Sequence, residues 1–216
     1  LQKAWITVTN VDVSSSSISS STVSRISGSC GLAGPWCLSM DGTNIYAPTW
    51  DNNGTTIYMN WTGTSMASPM VSGAVAILSQ AFPNHTPEQI VDRLLASANN
   101  TYFTHDANLT FSNGVYHGYD DEYGHGIMDL YAALAPILSN NFSRSVIYTG
   151  SSTHSQSQEA SSSSLRLGSS FGRSVSNALS GEVYYHYDAL DGGFEASLSN
   201  IISYQSTATN LINQLQ

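Results

Sequence analysis

Apolar residues are spaced differently in successive parts of this chain, and each change of spacing predicts a change of element. Residues 4–13 (AWITVTNVDV) carry β-branched residues in partial alternation, the period of a half-buried strand. Residues 44–48 (NIYAP) repeat it in short form, so 1–48 read as a β segment with a Ser-rich loop over 14–22. Over 67–78 the spacing turns helical, with Ala67, Val71, Ala74, Val75 and Leu78 on one face. The opposite face, with Met70, Gly73 and Ile77, is also apolar or small, which predicts a helix buried on all sides. Pro69 fits only near the first turn, where its missing N–H costs little.

A second helix is announced by Thr86-Pro87-Glu88-Gln89, a capping box with proline at the first helical position, followed by Ile90, Val91, Leu94 and Leu95. Residues 99–123 are turn-rich and aromatic and read as a long surface loop with a short strand or hairpin. YGHGIMDLYAALAPIL then predicts a third helix, with Asp129 close to its start and Pro136 near its end. Strands and helices alternate as in an α/β domain. Beyond residue 148 the composition shifts to TGSSTHSQSQEASSSS, which has little to bury and reads as a linker over 149–164. A tail over 165–216 combines alternation at Val183, Tyr185 and Tyr187 with helix predicted over 171–179 and around 194–202.

Composition narrows the function classes. The 216 residues allow one domain and a little more, and 41% hydrophobic against 10% charged is a globular composition. A net charge of −9 with six Lys and Arg offers no basic stripe, so nucleic acid is excluded as a partner. Cys30 and Cys37 suit neither a C-x-x-C redox pair nor a four-ligand zinc site; a local disulfide is preferred over two free thiols. The low Lys content and Ser/Thr/Asn surface lean towards an extracytoplasmic protein, at the cell surface or outside the cell, where such a bridge survives. No apolar run reaches the ~18 residues of a spanning helix. The chain opens at LQKAW, with neither an initiator Met nor a signal peptide, and reads as a piece of a longer polypeptide.

The chemistry concentrates at Gly63-Thr64-Ser65-Met66-Ala67-Ser68-Pro69, just where the helical period begins. A serine hydroxyl attacks a carbonyl only when a base takes its proton and donors hold the resulting oxyanion. A helix start supplies donors, because its first N–H groups lack intrahelical partners and carry the positive end of the dipole. The bland reading makes Ser65 an N-cap, worth about 1 kcal/mol. Against it, this string continued by Val71-Ser72-Gly73 resembles the serine motif of the subtilisin-like serine proteases, the subtilases. CLSMDGTNIYAP, AWITVTNVDV and YGHGIMDLYAAL are similar to the family's segments around that motif. Met70 stands where many members have His, at a non-catalytic position.

The resemblance implies an α/β fold, the C-terminal portion of a subtilisin-like parallel sheet flanked by helices, over 1–148. It implies that Ser65 is the nucleophile of a Ser-His-Asp triad, that its N–H is an oxyanion donor, and that Gly63 and Thr64 build the nucleophile turn. The family's order is Asp, His, Ser. All six histidines follow Ser65, and Asp12, Asp41 and Asp51 lack the family's motif, so the His, Asp and oxyanion Asn are expected upstream and the chain alone is expected to be inactive. The implied partners are protein or peptide substrates, for a monomer without cofactor; the family often binds calcium on loops, but the acidic Asp120-Asp121-Glu122 run reads as a solvated face and no metal is expected. LRLGSSFGRSVSNAL and YYHYDALDGGFEASLS resemble the segment before the outer-membrane barrel of autotransporter subtilases, which implies outer-membrane association through a barrel beyond Gln216. Two rivals stay open. One is an α/β-hydrolase esterase using Asp120 or Asp121 with His125 or His154, although Ala67 replaces the second glycine of its G-x-S-x-G elbow. The other is a degenerate, protease-like binding or scaffold protein.

Overall fold

The computed structural model describes residues 4–138, 146–147, 165–167, 174–179, 181–197 and 202–204. The strands of the first segment form a mixed sheet with β1 (Thr7–Val13) between β2 (Val23–Arg25) and β3 (Cys37–Asp41). β1 runs parallel to β3, pairing Thr7 with Cys37 and Val11 with Asp41. β2 lies antiparallel along the end of β1. A disulfide joins Cys30 to Cys37 and closes the 3-10 turn Gly31–Trp36 onto the start of β3. β4 (Ile45–Trp50) and β5 (Thr56–Trp61) form an antiparallel hairpin that leads into α1 (Thr64–Ala81).

α1 stops at Phe82 because Pro83, next in the chain, cannot continue the hydrogen-bond ladder. α2 (Pro87–Ala96) begins as its sequence predicts: Gln89 N–H donates to Thr86 Oγ1, and Thr86 N–H donates to Gln89 Oε1. Its apolar stripe meets that of α1, and Leu38, Val71, Ala74, Leu78, Ile90, Val91, Leu94 and Leu95 make the core with Ala133 of α3 (Leu130–Leu134). Asp129 caps α3 by accepting from Ala132 N–H at 2.9 Å. The loop over 99–123 contains the hairpin of β6 (Ala107–Thr110) and β7 (Tyr116–Tyr119).

Two expectations are corrected. α1 is not buried all round: Ala67, Val71, Ala74 and Leu78 face the core, whereas Ile77 is 46% exposed. The sheet, α2 and α3 cover one stripe, while Gly73 and Ile77 on the opposite face stay exposed. Where helix is expected around 194–202, residues 194–197 are instead strand: β10 (Val183–Tyr187) pairs antiparallel with β11 (Gly193–Ser197), with Phe194 opposite His186, and 198–201 lie outside the described residues. The reversal is set by Asp188, whose Oδ1 accepts from the N–H of Leu190 (3.0 Å) and Gly192 (2.7 Å). β8 (Val146–Ile147) adds to this hairpin, β9 (Leu165–Leu167) pairs with β12 (Ile202–Tyr204), and α4 spans Ser174–Leu179. The 149–164 segment and His154 lie outside the described residues.

The hairpin is locked onto the helices. Arg93 of α2 and Asp188 are both fully buried and meet at 2.6 Å. The same guanidinium donates to the carbonyls of Ala133 and Ala135 and lies 4.2 Å from the Phe82 ring centre.

Candidate active site

β5 ends at Trp61, and Gly63 turns the chain into α1 with φ 154° and ψ 172°, a conformation costly for any residue with a Cβ. Thr64 is the first helical residue and Ser65 the second. The N–H groups of Met66 (3.0 Å) and Ala67 (3.2 Å) donate to the Gly63 carbonyl. Those of Thr64 and Ser65 therefore lie ahead of the first helical bond, at the positive end of an 18-residue helix. Ser65 is exposed, and among the described residues none bonds to its hydroxyl. It is not the cap, since that position belongs to Gly63.

The turn is held from behind by residues that the motif does not include. Gly63 N–H donates to the Gly42 carbonyl at 3.1 Å, and Gly42 N–H donates to Asn10 Oδ1 at 2.7 Å. A Cβ on Gly42 would stand 2.6 Å from the Gly63 carbonyl oxygen and 2.7 Å from Ala67 N, closer than atoms pack. Glycine is therefore required where β3 approaches the helix start. The sequence held a trace of this joint: Asn10 breaks the apolar alternation of β1, and Asp41-Gly42 reads as a turn at the end of β3.

A half-open pocket of about 340 Å³ lies between β1 and the helices, lined by apolar Val8, Val71 and Ile90 and by polar Ser68, Ser72 and His85 among others. Ser65 does not line it, so it is separate from the site.

His85, His105, His117 and His125 are engaged elsewhere. His85 Nε2 bonds the Leu190 carbonyl and His105 Nε2 that of Asn100. His117 and His125 bring their Nδ1 atoms to 3.0 Å, while their Nε2 atoms bond the carbonyls of Ala98 and Pro35. Burial pulls the His117 ring down to about 4, helped by the charge of His105. Burial and the facing His117 pull His125 down to about 3. The three contacts of this pair need three protons and two neutral rings carry two, so one contact goes unbonded while both are neutral; His125, completely buried, is no base for a surface serine. Asp120 spends its Oδ1 on the N–H groups of Glu122 and Tyr123, and burial raises its carboxyl. Gly63, Thr64 and Ser65 thus stand at the start of α1, and among the described residues no bond links the acidic run to them.

Residues 2–126 match the family model of the subtilase family. The chain belongs to the subtilase family. Fervidolysin of Fervidobacterium pennivorans is 39% identical over 97 residues, 45% of this chain and 12% of that protein. The crystal structure of fervidolysin, described as a keratinolytic enzyme related to subtilisin, aligns at 22% identity and TM-score 0.44, over 72% of this chain and 25% of its own. That of MycP1 from Mycobacterium smegmatis aligns at 27% identity and TM-score 0.37, over 62% and 30%. This subtilase chain therefore spans 12% of the curated relative. The α/β fold expected from its sequence is that of the subtilases, and the matched region contains Ser65, Gly42 and Asn10.

Proposed function

We propose that Ser65 is the nucleophile of a serine endopeptidase whose His, Asp and side-chain oxyanion donor are carried by segments preceding Leu1. The observation that carries this reading is an exposed, unengaged hydroxyl on the second residue of a long helix, beside two N–H groups ahead of the helical ladder. In the reaction the Ser65 oxygen attacks the scissile carbonyl carbon as the upstream His accepts its proton. The negative oxygen that forms is held by the N–H of Ser65 and the upstream donor, and the amine leaves with the proton returned by His. Water then hydrolyses the acyl-enzyme by the same route.

Each absent part has a magnitude. Losing one oxyanion donor costs on the order of 10²–10³ in rate, and losing the base removes most of the rest. The chain alone is accordingly inactive on peptides. The Cys30–Cys37 bridge supports an extracytoplasmic protein, and the tail's likeness to autotransporter subtilases supports display at an outer membrane.

The test is hydrolysis of a quenched fluorescent peptide library by the chain alone and by the chain joined to its upstream segments. The longer polypeptide is expected to turn over and the Ser65→Ala variant to be dead. Turnover by the short chain that vanishes in Ser65→Ala contradicts the assignment of the base. A folded long form with no turnover favours a degenerate scaffold instead.

A further inference from the structure

Asn10 places a carboxamide in the middle of β1, 1% exposed. Its backbone is satisfied without the side chain: its N–H donates to Ser27 Oγ at 2.8 Å, and its carbonyl accepts from Ile26 N–H at 3.1 Å. The side chain's orientation is fixed, because Gly42 N–H can only donate, so the atom 2.7 Å from it is Oδ1. Nδ2 is left buried without a hydrogen-bond partner among the described residues. An amide kept half-satisfied in the interior is worse for stability than an apolar side chain of its size. The one bond it makes therefore does something an apolar residue cannot.

That bond leads to the nucleophile turn. Gly42 accepts from Gly63, and the Gly63 carbonyl accepts the first bonds of α1. A Cβ at Gly42 would meet the Gly63 oxygen at 2.6 Å, Ala67 N at 2.7 Å and Asn10 Oδ1 at 2.9 Å. With no slack at the joint, a shift of Gly42 passes directly into the start of the helix.

We infer that Asn10 is a positioning residue for Ser65: acting through Gly42 and Gly63, it fixes where the first turn of α1 begins, and so where the hydroxyl and its own N–H stand. This rests on the reading of Ser65 as nucleophile.

The test uses the polypeptide carrying this chain and its upstream segments, labelled by a fluorophosphonate, with the binding constant KI and the maximal rate kinact measured separately. A misplacement of about 1 Å costs on the order of 100-fold, so Asn10→Leu is expected to lower kinact about 10–100-fold with KI within about twofold. Asn10→Asp, which keeps an oxygen facing Gly42 N–H, is expected to restore most of kinact. Asn10→Ser, smaller and too short to reach Gly42, covers the case in which the leucine variant does not fold and is expected to show the same loss. Wild-type kinact in a folded Leu or Ser variant overturns the inference. So does a loss that follows the melting temperature and is not rescued by Asp. Absence of labelling in the wild type, with Ser65→Ala as the blank, instead overturns the nucleophile reading, and the inference with it.

Discussion

At position 93 a guanidinium stands where the stripe of α2 asks for an apolar side chain, between Val91 and Leu94. Its partner Asp188 lies 95 residues away and is as completely buried. Removing one member of a buried pair strands the other, so Arg93→Met is expected to cost about 3–5 kcal/mol, read from urea denaturation. Combining it with Asp188→Asn should recover part of that loss, and equal losses in the single and double variants would refute the coupling. The signal in the sequence was a lone Arg inside an apolar stripe, but nothing local names a partner so far along the chain. Ser65 was legible for the opposite reason: its motif is contiguous, and the helix start that exposes it is written in the same seven residues. Asn10 was not legible, because a strand pattern shows only that one position is polar, not which loop it holds.

Among the elements, α2 illustrates complete local encoding. Its cap, its N1 proline and its stripe all lie within residues 86–96, and Thr86→Ala is expected to cost about 1 kcal/mol in thermal or urea unfolding. β3 shows the contrary. CLSMD carries no clear alternation, and it becomes a strand because β1 pairs with it on one side and the 124–128 segment on the other. That second contact needs Gly124, which has φ +64° and whose Cβ would lie 2.3 Å from the Cys37 oxygen. Gly124→Ala is therefore expected to destabilise the chain by several times the loss at Thr86, and a drop no larger would contradict the close approach. The strand at Phe194 was misread as helix for a related reason, since its hairpin depends on the Asp188 turn rather than on apolar spacing.

For the whole molecule, the stacked His117–His125 pair contributes to the response to acid. His117 and His125 fall to about 4 and about 3 from an ordinary 6.5, so below pH 6.5 the unfolded chain binds more protons than the folded one. Their stabilising effect is complete above that pH and is lost as the pH falls towards their folded values. The loss between pH 7 and pH 5 is on the order of 2 kcal/mol per ring. Urea midpoints at the two pH values should show it, His117→Gln should reduce it, and a flat profile would refute it. The Cys30–Cys37 bridge closes a short loop, separation 7, and its reduction is expected to cost about 2–3 kcal/mol. The central claim concerns chemistry at one oxygen. It is tested most directly by exposing the chain, joined to its upstream segments, to a fluorophosphonate and mapping the adduct by mass spectrometry. The account predicts a single adduct on Ser65; a folded protein that carries the upstream His and Asp yet takes no label, or takes it on another residue, would contradict it.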